Sequence, residues 1–146
     1  EGGLYVNAQG KTLGRHLGVP FYTVGQRKGL GIALGSPAYV LRLNAEKNTI
    51  VLGNEQDLLT DVFFAEQPEW VNEDAFFSCP SLAVRIRYHA TPVACTVQRL
   101  DNGLLLVRTA EKVSAVTPGQ SAVFYEDERI VGGAVIANQK GIGQYV

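Results

Sequence analysis

Phe21-Tyr22-Thr23-Val24-Gly25-Gln26-Arg27-Lys28-Gly29-Leu30-Gly31-Ile32 is an aromatic and β-branched run that breaks into three glycines around a polar, cationic trio. Residues 21–24 read as a strand, because such side chains fit a pleated, half-buried surface. Gly25, Gly29 and Gly31 then allow a bend and close backbone approach. The expected product is a strand that delivers Gln26, Arg27 and Lys28 to an exposed loop. Such a loop suits phosphate: Arg supplies a fork of donors, Lys a point charge, and glycine leaves backbone N–H groups open. The stretch fits neither G-x-G-x-x-G nor G-x-x-x-x-G-K-[ST]. The same residue types also make an ordinary Gly-rich connection with two solvated charges, so composition alone leaves both readings open.

Working outward, the chain reads as short strands punctuated by turns. Leu4-Tyr5-Val6 and Lys11-Thr12-Leu13 flank Asn7-Ala8-Gln9-Gly10 as a hairpin. Ala38–Leu43 and Thr49–Gly53 pair around a polar turn, and Asn54 caps one helical turn over 55–59. A boundary falls near Thr60-Asp61, which gives units 1–60 and 61–146. The second unit opens with a strand over 62–66 and continues with strands over 81–88, 94–100, 104–108, 113–116, 121–125 and 129–136. Asp101-Asn102-Gly103 is a hairpin turn, and Thr117-Pro118-Gly119-Gln120 has the residues of a type II turn. The expected fold is mainly β: a small β-rich domain followed by a small antiparallel β-barrel. The tail from Asn138 is Gly-rich and expected to be loose.

The 146 residues carry a net charge of −1, which predicts no general affinity for nucleic acid. The distribution is more informative. Residues 1–45 hold five cations against Glu1, residues 46–80 hold eight acids against Lys47, and residues 81–108 hold four arginines against Asp101. Two basic segments therefore flank an acidic one. Cys79 and Cys95 lack C-x-x-C spacing, and His16 and His89 complete no metal pattern, so no metal ligands are expected. His16 reads as a loop or packing residue that is also in reach of RNA. No apolar run approaches the ~20 residues needed to span a bilayer, so no membrane partner is expected and a cytoplasmic location is. The chain has no Met and starts at Glu1, as a piece of a longer product would.

Leu82, Val84, Ile86 and Tyr88 share one face of a strand, with Ala83, Arg85 and Arg87 on the other. Two arginines spaced in this way suit phosphate or a solvated outer face. Alternation sets Tyr88 opposite Arg87, so both reach one ligand only at a strand end. Gln120, fixed by its turn, offers a donor and an acceptor to a sugar or base edge, or else stabilises the turn. Trp70 reads as core, with base stacking as its other use. No nucleophile stands beside a base, so no catalytic residue is nominated.

The run Tyr22–Ile32 closely resembles the Y-T-x-G-Q-R-K-G-L-G-I signature of the tRNA-specific 2-thiouridylases, often called tRNA methyltransferases in older usage. Arg85-Ile86-Arg87-Tyr88 with Cys95, and Ala115–Tyr125, match in the right order. Gly132-Gly133-Ala134-Val135-Ile136 is similar to the family's G-G-G-x-I with its third glycine replaced. The resemblance covers nearly the whole chain. It implies the central domain and C-terminal β-barrel of an enzyme that thiolates the wobble uridine with ATP and persulfide sulfur. The ATP-binding domain and both catalytic cysteines of that family lie before the matched region. The implied role is tRNA binding and positioning, without cofactor in this region. The implied partners are tRNA, the protein's own N-terminal catalytic domain and a sulfur-relay donor. Arg87, Tyr88 and Gln120 carry over as tRNA contacts; Gln26, Arg27 and Lys28 are nominated from the loop itself. A non-catalytic β-barrel protein-interaction module is the rival reading, and a self-sufficient enzyme the third.

Overall fold

The computed structural model describes residues 2–35, 37–86, 91–114 and 116–146. It is mainly β and divides into two compact units, residues 1–59 and Thr60–Val146.

In the first unit, β1 (Gly3–Val6) and β2 (Thr12–His16) form a hairpin with Gly3 opposite His16 and Leu4 opposite Arg15. The Asn7 side chain closes its turn by accepting the N–H groups of Gln9 and Lys11 at 3.0 and 2.9 Å. β3 (Tyr39–Asn44) and β4 (Thr49–Gly53) form the second antiparallel pair, and β4 lies parallel to β1, giving the order β2-β1-β4-β3. Asn54 caps a 3₁₀ turn over Glu55–Leu58, with Asp57 returning a bond to the Asn54 N–H as a capping box. Tyr5, Tyr22, Leu30, Val40, Ile50 and Leu52 make the core.

The expected strand over 21–24 is not formed. Val19–Phe21 is a 3₁₀ turn with Pro20 in its first positions. Pro20 has no N–H for a ladder and a fixed φ suited to a turn start. Tyr22 is extended but turns inward, its ring edge-on to Tyr5 and His16 at 5.8 and 5.7 Å.

The second unit is a closed six-stranded barrel. Its strands are β5 (Leu59–Trp70), β6 (Leu82–Arg85), β7 (Val93–Arg99), β8 (Leu105–Ser114), β9 (Ser121–Glu126) and β10 (Arg129–Ile136), in the order β10-β5-β8-β7-β6-β9. Among the described residues, closure gives every barrel strand a neighbour on both sides. Phe63, Val84, Leu105, Val107, Phe124 and Ile136 fill the interior. Leu82, Val84 and Ile86 are buried while Ala83 and Arg85 are half-exposed, the alternation read from the sequence. The segments 104–108 and 113–116 are not two strands: β8 runs unbroken through to Ser114. No Gly or Pro interrupts Thr109-Ala110-Glu111-Lys112, so nothing stops the ladder. A helix, α1 (Glu73–Ser78), was not expected. Asn72 caps it by accepting the Ala75 N–H at 2.9 Å, and Glu73 and Asp74 suit its N-terminal end.

The tail is not loose. Gln139 pairs with the β5 backbone: its Oε1 accepts the Phe64 N–H at 2.8 Å and its Nε2 donates to the Phe64 carbonyl at 3.0 Å. Ile142–Tyr145 forms a 3₁₀ turn, and Tyr145 packs edge-on against Phe64 at 5.7 Å. Burial of Val62, Phe64, Leu106 and Ala137 under this strap overrides the flexibility of its glycines.

Candidate nucleic-acid interface

The glycine loop of the first unit has no regular secondary structure, so its shape comes from specific bonds. The Gly25 N–H donates to the Val40 carbonyl at 2.7 Å, and the Val40 N–H donates to the Gln26 carbonyl at 2.9 Å. The Gln26 side chain accepts the Thr23 N–H at 3.0 Å and donates to the Lys28 carbonyl at 2.9 Å. It thus braces the loop and keeps one further donor and one further acceptor site. The Tyr5 hydroxyl donates to the Leu30 carbonyl at 2.6 Å and anchors the far side to the core. Burial, then the neighbouring Tyr22 hydroxyl, holds the Tyr5 phenol well above its ordinary range, so it stays a donor. Gly29 and Gly31 sit at φ +77° and +74°, where a side chain would strain the backbone. Arg27 and Lys28 are exposed at the crest. Arg27 also lines an open groove of about 600 Å³, together with Leu30, Gly31, Ile32 and Pro37.

Gln120 lies in the barrel. Its turn is built as expected, with Gly119 at φ 92° and the Gln120 N–H on the Thr117 carbonyl at 3.1 Å. The turn is tied to β10 by Gly119 N–H to Ile136 O and Ile136 N–H to Gln120 O, both 2.8 Å. The side-chain amide is exposed. Arg85 pairs with Val123, so Gln120, three residues earlier, lies just past the end of β6. Arg85 itself donates to the Tyr125 hydroxyl at 2.6 Å, with its guanidinium 5.2 Å from that ring's centre. Arg87 and Tyr88 lie outside the described residues. The structure therefore places Gln26, Arg27 and Lys28 together on one loop, and Gln120 on the other unit, just before β9.

Other candidates are absorbed by packing. His16 is buried, with Nδ1 accepting the Gly18 N–H and Nε2 facing the Asn48 carbonyl, each at 3.0 Å. Nδ1 as acceptor leaves the proton on Nε2. Trp70 is half-buried against Phe76 and Phe77. Arg99 covers that aromatic group, 4.7 Å from the Phe77 ring centre and 5.8 Å from that of Trp70, and is paired with Glu73. This cluster escaped the sequence reading; Asn72-Glu73-Asp74, a cap followed by two acids, is the signal that brings Glu73 and Phe77 onto one helix. Burial pushes the Cys95 thiol up to about 12, with the Cys79 sulfur second, the opposite of an activated nucleophile. Hydrogen bonds from Arg129 and then Cys79 hold the Glu126 carboxyl below its ordinary range. Among the described residues no three His, Cys, Asp or Glu side chains gather as a metal site, and no helix is long and apolar enough to cross a membrane.

A small mixed sheet with a braced cationic loop, followed by a closed barrel, defines a pair of β domains of a recognised kind. Residues 1–54 match the tRNA methyl transferase PRC-barrel domain, and residues 60–136 match the aminomethyltransferase β-barrel domain. The chain is 56% identical over 141 residues to the tRNA-specific 2-thiouridylase MnmA 3 of Bacteroides fragilis, covering 97% of this chain and 39% of that protein. It is 51% identical to the protein of the same name from Phocaeicola vulgatus (96% and 37% covered) and 40% identical to the tRNA-specific 2-thiouridylase MnmA of Natranaerobius thermophilus (92% and 36%). The chain belongs to the tRNA-specific 2-thiouridylase family and matches the central and C-terminal parts of its members. It spans well under half the length of these relatives.

Proposed function

We propose that this chain is the tRNA-binding and positioning part of a tRNA 2-thiouridylase. The observation that carries this reading is the loop in which Gln26 and Tyr5 spend their polar groups on the backbone while Arg27 and Lys28 stay exposed. A braced loop loses little conformational entropy when its cations meet phosphate. Gln120, on a turn held by backbone bonds, offers a directional amide to a sugar or base edge. Arg87 and Tyr88 complete the proposed contacts, Arg87 with phosphate and Tyr88 by stacking or hydrogen bonding. Gln26 serves as brace and, through its remaining donor and acceptor, as a secondary contact. Activation of the wobble uridine with ATP and delivery of persulfide sulfur belong to the N-terminal domain and a sulfur-relay partner in the cytoplasm. No catalytic residue is assigned to this region.

The test is a titration of the full-length protein and of this chain with unmodified tRNA at several salt concentrations. The variants are Arg27→Ala/Lys28→Ala and Gln120→Ala. The cation pair should set part of the salt dependence, so its removal should flatten the slope of log K against log salt by about 1.5–2. Gln120→Ala should weaken binding while leaving the slope unchanged. Binding by the full-length protein that is indifferent to both variants sinks the reading and favours a protein-interaction module.

A further inference from the structure

We infer that Leu17, Pro20 and Phe21 form the seat on which the N-terminal part of the full-length protein packs. Leu17 and Phe21 are 76% and 73% exposed, among the most exposed large apolar side chains of the chain. The backbone that carries them is nonetheless held by specific bonds. The Leu17 N–H donates to the Tyr22 hydroxyl and the Gly18 N–H to His16 Nδ1, each at 3.0 Å. The Phe21 and Tyr22 N–H groups close the 3₁₀ turn onto Gly18 and Val19 at 3.0 and 3.1 Å. An apolar ledge whose backbone is fixed by a buried histidine and a buried tyrosine is preorganised for contact, since little backbone entropy remains to be lost on covering it.

The register says what lies beside it. Gly3 of β1 is opposite His16, the residue before Leu17. Asn48 secures the corner, donating to the Gly2 carbonyl at 2.9 Å while its own carbonyl faces His16 Nε2 at 3.0 Å. The start of β1 therefore lies next to the ledge. The relatives are far longer than this chain, which matches 39% of the Bacteroides fragilis protein and only its central and C-terminal parts. The chemistry favours a protein surface over RNA. Residues 16–22 contain no Lys or Arg, and an aliphatic Leu17 as exposed as Phe21 gains from apolar burial but not from base stacking. This assignment rests on the reading above only in taking the catalytic part of the protein to precede this region.

Hydroxyl-radical footprinting of the full-length protein, without any substitution, tests it. Oxidation at Leu17 and Phe21 should be at least about fivefold slower than in a free peptide of residues 14–28, as for buried side chains. Less protection overturns the seat. Protection that appears only on adding unmodified tRNA assigns the ledge to RNA, and protection that grows with protein concentration assigns it to a second copy; either overturns it. In a Leu17→Ser/Phe21→Ser full-length variant, protease cleavage ahead of Gly3 should be about fivefold faster, and an unchanged rate counts against the seat. Failure of the Arg27/Lys28 titration would leave this footprint untouched, so the two readings stand or fall separately.

Discussion

The glycine loop and the Thr117–Gln120 turn present polar side chains in opposite ways. The loop adds side-chain braces to its backbone bonds with Val40: Tyr5 reaches the Leu30 carbonyl, and Gln26 spans Thr23 and Lys28. The turn is held by backbone bonds, through Thr117–Gln120 and the two bonds to Ile136 that continue the barrel ladder. Side-chain bracing makes part of the loop's shape depend on two residues. Backbone bracing ties the turn to the ladder of a closed sheet. The cationic crest is therefore a tunable part of the molecule, and Gln120 a fixed one.

The largest effect expected is in the barrel core. Phe124 is fully buried in contact with Phe76, so Phe124→Ala should lower stability by about 3–5 kcal/mol through lost burial and a cavity. Trp70, the only tryptophan, packs on Phe76 and reports this transition by its fluorescence during denaturant unfolding. Amide exchange across Gln26–Ile32 should not change by a comparable factor. If the loop loosens as much as the barrel, the contrast fails.

Tyr5→Phe is the converse experiment. It removes one hydroxyl and leaves the Leu30 carbonyl unpaired beside a buried ring, at a cost of about 1–3 kcal/mol. Amide exchange in Gly29–Ile32 should accelerate while the Trp70 transition stays in place. A shift of that transition instead would show that the loop and the barrel share one cooperative unit.

What was legible follows the same division. Where structure comes from alternation and turn chemistry, the residues announce it: Leu82, Val84 and Ile86 point inward, and Pro118-Gly119 makes the turn. Asn54 as a cap was equally plain. Where structure comes from one side chain meeting a distant backbone, it was not. Phe21-Tyr22-Thr23-Val24 has the composition of a strand, yet Pro20 and the capture of Tyr22 between Tyr5 and His16 decide otherwise. The cationic loop was legible as a Gly-bounded trio, but the bracing role of Gln26 needed the positions of Thr23 and Lys28. Arg99 with Glu73 joins residues 26 apart, which no local pattern encodes.

The tail is the sharpest of these cases and supplies the smallest expected effect. Asn138–Val146 has a loose composition, and its order rests on Gln139, which mimics a strand neighbour by bonding both the N–H and the carbonyl of Phe64. Gln139→Ala should cost about 1 kcal/mol, the net worth of a partly exposed hydrogen-bonded group rather than of a core side chain. The Phe64 amide should then exchange about fivefold faster, and proteolysis within 140–146 should speed up by a similar factor. Unchanged exchange at Phe64 would mean that Tyr145, packed edge-on against Phe64 and bonded through its carbonyl to Arg108, holds the strap without Gln139. The bracing would then have passed from one polar side chain to apolar burial, and the tail would belong with the barrel rather than with the loop.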